Sequence, residues 1–552
     1  MSLSTTVAPA AGQSLLPPIA FERNPGAAMS PLRGSYKRHE PEKTALYGVV
    51  AGHLETFLDT ARQQSSTGTG CPPFIERELR KYLGCGILAN GFARLRCPSC
   101  GFERLVAFSC KGRICPSCWA RRMGDTAAHL VDRVLPVAQY RQWVLTFPWE
   151  LRLTLAMNRG LLSEMLRVYL NTLFKWQRKR GRALAIRGET GAVTFIQRFG
   201  GALNTNPHFH TIVPDGLFVR STAAPVGPGA DGPLSFVQLP APTDDDVAAL
   251  AGTLASRLGA IAARYCLDRE GIRPDNDDAI SMIRAAAYEA QKVPLTGEHA
   301  AGSATQGKKP LCVKHEGFTL HAARTVAAHD REGLEKLCRY GLRAPFALDR
   351  FSVDPDGMIR YRLTRPWPTP AGKSELLFEP QALLRRLAAL LPGPYLNLTR
   401  YHGAFANRSR FRPMLPTPPK HGEPSAQCHP REGGGPSEPA AVDPRLRGND
   451  GLRPRRLGWA QLLRRVLNID VLTCARCAVP MTVIAFLSDP TVLTRILDHL
   501  ALPSTQPLPA ESALTSIEDV FIDAPAYDGI DVEWEPSPEP LETGPPDARD
   551  PP

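Results

Sequence analysis

Two periods of apolar residue divide this chain into helical and extended stretches. From Pro41, the residues Leu46, Val49, Val50, His53, Leu54 and Leu58 recur near helical spacing. A polar loop from Ser65 to Pro73 separates them from a second helix expected over about 74–83. Arg141 to Pro148 reads as a first strand, followed by one long helix over about 151–180. That helix ends in Lys175, Arg178, Lys179, Arg180 and Arg182, and cations suit a helix C-terminus. The runs containing Val193 and His208 read as a hairpin, with Asp215-Gly216 as a turn beyond them. Pro225 to Pro242 is expected to be loop. Val247, Leu250, Leu254, Leu258 and Ile261 form an apolar stripe on a helix from Asp244 to about Leu267. Residues 268–317 read as polar and irregular. A helix over about 322–342, a hairpin around Pro355-Asp356-Gly357, and a strand and helix over 374–391 follow, and Arg400 to Phe405 closes the core.

Composition marks the boundaries. The 53 Pro and 45 Gly among 552 residues imply long irregular segments. Residues 1–40, the Pro/Gly/charge-rich linker at 416–455 and the acidic Pro-rich tail at 503–552 are expected to be disordered. His429 to Gly435 and Asp443 to Gly451 resemble a translated intergenic repeat inserted into that linker. Between these lie a cysteine-rich unit (41–135), a larger unit (136–415) and a small C-terminal module (456–502). No run of 18 apolar residues occurs, so no membrane span is expected. No basic segment leads into an apolar one at the N-terminus, so no signal peptide is expected. The net charge of +12 favours a polyanionic partner. Thirteen cysteines, several in CxxC pairs, fit metal binding in a reducing compartment better than a disulfide framework.

Two patterns carry chemistry. Cys97-Pro98-Ser99-Cys100 and Cys115-Pro116-Ser117-Cys118 are knuckles with fourteen residues between them, and four thiolates at this spacing can close a tetrahedral structural zinc site. Cys85 and Cys110 are surplus: either is a buried thiol or completes a second site. Cys474-Ala475-Arg476-Cys477 supplies only half of one. Arg94, Arg96, Arg104, Lys111, Arg113, Arg121 and Arg122 crowd the ribbon, as a solvated face or as a surface that tracks phosphates. The second pattern is His208-Phe209-His210. On a strand, residues i and i+2 share a face, so both imidazoles point one way and Phe209 the other. Two neutral imidazoles on one face can hold a divalent cation.

His208-Phe209-His210, set in Asn206 to Val219 after Gly191 to Phe199, resembles the HUH nucleases, which cut single-stranded DNA with a tyrosine. The run Leu83 to Met123 and the module Trp459 to Leu502 resemble parts of one branch of them, the rolling-circle transposases of the insertion sequence ninety-one type. The resemblance implies an α+β fold: an HUH core of antiparallel sheet with helices on one side, preceded by a small zinc ribbon. It implies Mg²⁺ or Mn²⁺ on His208 and His210, a structural Zn²⁺, and a 5′-phosphotyrosine intermediate. It implies single-stranded DNA at transposon ends and target as partner, no membrane, and a cytoplasmic, nucleoid-associated place. Oligomeric state stays open.

The nucleophile implied is Tyr340, with Tyr401 as rival. Lys336 stands where the family's two-tyrosine form has its first tyrosine, so this chain resembles a single-tyrosine version. Lys336, Arg339 and Arg343 are further candidates for DNA contact, Lys336 being otherwise an ordinary surface lysine. Gln197, His315, His321 and Glu335 are candidates for a third metal ligand. A catalytically decayed DNA-binding relative and a metal-dependent hydrolase of small molecules are the alternatives.

Overall fold

Two N-terminal helices, α1 (Ala45–Gln64) and α2 (Pro73–Leu83), lead into a hairpin of β1 (Phe92–Arg96) and β2 (Glu103–Ala107) and a helix α3 (Pro116–Arg133). Thr44 caps α1, its hydroxyl accepting from the Tyr47 N–H. The computed structural model describes residues 38–65, 70–220, 233–267, 310–364, 374–418, 459–467 and 469–506. The expectations for 1–37, 419–455 and 507–552, and for 268–309, lie outside the described residues.

The core follows as β3 (Tyr140–Thr146), α4 (Trp149–Met157), α5 (Arg159–Ala183), β4 (Gly191–Phe199), β5 (Thr205–Pro214), β6 (Gly216–Arg220), β7 (Leu234–Gln238) and α6 (Asp244–Leu267). Then come β8 (Cys312–His315), β9 (Phe318–His321), β10 (Thr325–Val326), α7 (Arg331–Gly341), β11 (Phe351–Val353), β12 (Ile359–Arg362), β13 (Glu375–Phe378), α8 (Pro380–Leu390) and β14 (Thr399–Gly403). The last described elements are α9 (Trp459–Leu467), β15 (Thr482–Leu487) and α10 (Pro490–His499).

The central sheet is antiparallel, in the order β14-β4-β5-β3-β9-β8, with β10 also on β3. Mixed helices and antiparallel strands make the chain α+β, as the sequence leads one to expect. The expectation of helices on one side is corrected. Leu145, Phe209, Ile196 and Leu320 face α5 and α6, while Phe195, Ile212 and Val193 face α3 and α7. Because both faces are covered, every residue of β4 and β5 is buried. Pro207 has no N–H for a ladder, yet lies inside β5. It sits where the pairing with β4 shifts register between Gln197 and Phe199, a place where a proline is tolerated.

Strand β8 lies inside 268–317, the stretch expected to be irregular, because it pairs with β9, and four further element boundaries depart from the sequence expectation for local reasons. The single helix at 151–180 is two, because Asn158 turns extended and its side chain accepts from the Leu161 N–H, capping α5. The helix expected from 322 begins only at Arg331, after β10, where Asp330 caps it. The loop expected at 225–242 contains β7, which pairs with β6. Asp215-Gly216 is a bend rather than a reversal: β6 continues onward, and the Asp215 carboxylate receives a two-pronged bond from Arg141 at 3.1 and 2.7 Å.

Helix α6 is apolar and long enough to cross a membrane, but Val247, Leu250, Leu254 and Leu258 are buried in the layer that also holds α5. Helices α1, α2 and α8 share one core with β11–β13 and with Cys85, Cys115 and Cys118. The cysteine-rich region therefore packs onto the larger unit across the boundary drawn at 135. The C-terminal stretch is also joined to it: β15 pairs with β1, giving the sheet order β15-β1-β2.

Phe209 holds the central layer in place, its ring edge-on to Phe147 at 5.2 Å and stacked on Tyr169 at 6.1 Å. Truncating a fully buried phenylalanine costs about 3–5 kcal/mol. Phe209→Ala is expected to lower stability by that order in urea unfolding, and to loosen the strand that carries both histidines.

Candidate active site and cysteine clusters

His208 and His210 point into the α7 side of the sheet, 4.9 Å apart between ring centroids, and both are fully enclosed. Burial holds His208 down at about 4 and His210 well below the ordinary histidine value, so both are neutral near pH 7. Nδ1 of His208 donates to the Asn206 carbonyl at 2.7 Å, which leaves Nε2 as a bare lone pair. The Gln142 side-chain amide lies with Nε2 3.1 Å from Nδ1 of His210, and a 180° turn of that amide puts Oε1 there instead. With its oxygen turned inward it would set His210 in the same tautomer. Nε2 of both rings is buried with no hydrogen-bond partner. Two orphaned imidazole nitrogens on one face, each ring oriented through its other nitrogen, fit a divalent cation.

The third-ligand candidates separate by geometry. His321 and His210 both stand opposite Val144, on the two strands flanking β3, so they share the face. Gln197 is directly opposite His208, but its amide is engaged: Nε2 donates to the carbonyls of Tyr340 and Gly341 at 3.0 and 3.1 Å, and Oε1 accepts from Arg343 at 3.3 Å. His315 is half exposed at the tip of the β8–β9 hairpin. Glu335 is committed to ion pairs with Arg339 and Arg465, both at 2.6 Å.

Tyr340 closes the site. Its ring stands edge-on to His210 at 5.4 Å, and the Arg343 guanidinium lies 5.0 Å from its centroid. The approach depends on Gly341. A Cβ there would fall 2.2 Å from the ring of Phe195, so a glycine is what lets the end of α7 settle on β4. Arg339 and Lys336, the basic residues of this helix expected to contact DNA, do different work. Arg339 turns away into the Glu335–Arg465–Asp132 network that ties α7, α9 and α3 together. Lys336 makes an exposed pair with Glu332 at 2.8 Å, of the kind that contributes little.

Tyr401 lies elsewhere on the same face. It pairs with Val193, a strand further from His210 and one pleat along. It lines a cleft of about 500 Å³ with Arg113, Trp119, Arg122, Gln197, Arg343 and others. Of the expected DNA-contacting residues, Arg122 and Lys111 are exposed, and the Arg122 guanidinium donates to the Lys111 carbonyl at 2.5 Å. Arg121 donates to Ser109 at 3.1 Å. Half-buried Arg113 spans to the carbonyls of Pro392 and Gly393. Arg94 pairs with Glu103 at 2.7 Å, and buried Arg104 donates to the carbonyls of Val471 and Thr473.

The single zinc site expected from Cys97, Cys100, Cys115 and Cys118 is corrected, because the two knuckles face different partners. Cys115 and Cys118 gather with Cys85 and Cys110, with sulfur separations of 3.5–3.6 Å. Cys97 and Cys100 gather with Cys474 and Cys477. Within each set of four, the sulfurs all lie within 4.8 Å of one another. Zn–S bonds of about 2.3 Å in a tetrahedron put sulfurs about 3.8 Å apart, so the first set fits zinc. Cys85 and Cys110 have no CxxC signature, and the fold brings both beside the Cys115–Cys118 knuckle. Among the described residues, no comparable set of three or more donors includes the histidines.

The buried imidazoles give a pH prediction with a definite sign. Unfolded histidines take up protons near 6.5, whereas His208 in the fold does so only near 4. Metal-free protein should therefore lose stability as pH falls from about 6.5 towards 4. Urea midpoints across that window should fall less steeply for His208→Gln than for the wild type.

Comparison with known proteins meets this geometry at both ends. Residues 53–147 match the family described as transposase zinc-binding domain, and residues 191–412 match the family described as putative transposase. The first span contains all of Cys85, Cys110, Cys115 and Cys118; the second contains His208, His210, Tyr340 and Tyr401. The transposase for insertion sequence element IS801 of Pseudomonas savastanoi pv. phaseolicola is 28% identical over 138 residues, which is 25% of this chain. That match spans about a third (32%) of the relative's length. No solved structure matches the chain. The two family matches, in this order and covering more than half of the chain, place it in the transposase family of the insertion sequence ninety-one type.

Proposed function

We propose that this transposase cuts and rejoins single-stranded DNA by rolling-circle-type chemistry, with Tyr340 as nucleophile. The observation that carries the reading is the apposition of Tyr340 and His210, 5.4 Å apart, beside two buried imidazole nitrogens without partners. The phenol oxygen attacks the scissile phosphorus, a P–O bond forms to Tyr340, and the bond to the 3′ oxygen breaks. The phenol proton ends on the released 3′-OH, and the DNA keeps a 5′-phosphotyrosine. The ester retains the bond energy, so a second 3′-OH can reverse the step without ATP. His208 and His210, with His321 as the favoured third ligand, would hold Mg²⁺ or Mn²⁺. Such an ion supplies charge stabilisation at the phosphoryl oxygens.

The residues of the chain supply the rest. Arg343, beside the Tyr340 ring, suits a phosphate oxygen geometrically. Arg122 and Trp119 in the adjoining cleft offer a charge and a stacking face for an unpaired strand. Arg339 and Lys336 are not needed at the phosphate in this reading: one is structural and the other solvated.

Incubating purified protein with a hairpin-bearing single strand and Mg²⁺ tests this directly. Wild type should form a covalent adduct mapping to 337–343. Tyr340→Phe should keep its fold and DNA affinity and form none. An adduct on Tyr401 would move the nucleophile to the cleft, and DNA binding without any adduct would favour a decayed relative. His208→Ala should bind DNA as the wild type does, since backbone affinity comes from Lys and Arg, yet cleave at least a hundredfold more slowly. Affinity should also fall steeply with salt, with a slope of about −0.7 per phosphate contact. Arg122→Ala should reduce that slope by about one contact, read by fluorescence anisotropy across a salt series.

A further inference from the structure

The second cysteine set joins residues from opposite ends of the described chain. Cys97 and Cys477 are 3.4 Å apart between sulfurs, and Cys100 lies 3.6 Å from both Cys474 and Cys477. The two CxxC turns are built alike. In the first, the Cys97 N–H donates to the Phe102 carbonyl at 2.8 Å, and the Gly101 N–H to the Cys97 carbonyl at 3.1 Å. In the second, the Cys474 N–H donates to the Val479 carbonyl at 2.9 Å, and the Ala478 N–H to the Cys474 carbonyl at 3.0 Å. The residue after each second cysteine is left-handed, Gly101 at φ 71° and Ala478 at φ 57°. Alanine rarely adopts that conformation, and the strain is tolerated only where the surroundings demand it. Two knuckles with the same hydrogen-bond pattern thus face each other across four convergent sulfurs, the second supplied from 374 residues further along.

We infer that Cys97, Cys100, Cys474 and Cys477 hold one zinc ion, distinct from the one expected at Cys85, Cys110, Cys115 and Cys118. This ion is the clasp that fastens the 469–499 segment onto the β1–β2 hairpin. Cys474 and Cys477 lie outside both family matches. Two small buried clusters and the β1–β15 pairing make the protein contacts at this junction, one cluster being Phe92 with Leu493 and Leu497 and the other lying at the cysteines. The cluster at the cysteines comprises Ala93, Leu95, Cys97, Cys474 and Met481, and two of these are the proposed ligands. Strand β15 pairs with β1 from Phe92–Leu487 to Arg96–Thr482 but has no fully buried residue, and Phe486 is 67% exposed. A core this small is the kind that a structural metal completes. Sulfur separations of 3.4–3.6 Å also exceed a disulfide's length of about 2.05 Å, and a tetrahedral set of four thiolates selects zinc over harder ions.

The test uses full-length protein and is blind to any DNA chemistry. Elemental analysis of the wild type should give two zinc ions per chain. Cys474→Ser/Cys477→Ser should give one, and Cys85→Ser/Cys118→Ser should independently give one. One zinc in the wild type, or two in Cys474→Ser/Cys477→Ser, would overturn the assignment; so would iron in place of zinc. Should a variant fold poorly, wild type stripped and titrated with Co²⁺ gives a second readout. Two equivalents should bind, each with the charge-transfer absorption of a tetrathiolate site, and saturation at one equivalent sinks the idea. A protease site introduced between 430 and 440 reads the clasp itself. After cutting, the C-terminal fragment should stay bound in zinc and leave on chelation; release with zinc still present would count against it.

Discussion

Burying two imidazoles inside a sheet covered on both faces is the constraint around which this molecule is arranged. Neutral rings tolerate such a layer, whereas charged ones do not, so the environment itself selects the form able to ligate. Their polar atoms still need partners. Asn206 and Gln142 supply them at one nitrogen of each ring, and the other nitrogen is left facing α7. The helix above must then come close without a side chain in the way, which Gly341 permits, and must be held there. Gln197 does this from below by bonding the last carbonyls of α7, and the Glu335 ion pairs do it from the side. The reactive-looking end of the helix is thus fixed by groups that would take no part in chemistry.

Much of this was legible in the sequence, and what was not has physical reasons. His208-Phe209-His210 gave both the strand and its facing, because period two is unambiguous when one residue is a phenylalanine destined for a core. The apposition of Tyr340 to His210 was to be expected only by resemblance, since a half-buried tyrosine on a helix has no signature of its own. The cysteines are grouped otherwise than their spacing suggests. Sequence proximity made Cys97–Cys100 and Cys115–Cys118 look like one site, but a knuckle takes its partner from whatever the fold delivers. Cys85 precedes the hairpin and Cys110 ends it, with no motif to mark either. Asn158 hid inside an apolar pattern that continues on both sides of it, so the break between α4 and α5 could be seen only as a cap.

The basic character is also less available than a count suggests. Arg104 is spent on two carbonyls of the C-terminal segment, Arg141 on Asp215, and Arg339 and Arg465 on Glu335. These guanidiniums act as multi-donor struts between distant segments, for which five fixed N–H groups suit arginine better than lysine. Arg122 and Arg343 remain beside a cleft, and position, more than net charge, distinguishes them.

The union of Cys97 and Cys100 with Cys474 and Cys477 has a consequence for how the protein is made. A ribosome adding about 5–20 residues per second needs on the order of 20–75 s to traverse the 374 residues between Cys100 and Cys474. Throughout that time the first knuckle is half a site, with its thiols and the β1 edge open. A chain terminated early never completes it. The ribbon therefore closes only on a polypeptide carried through to its distal knuckle, and the finished fold records that synthesis went that far.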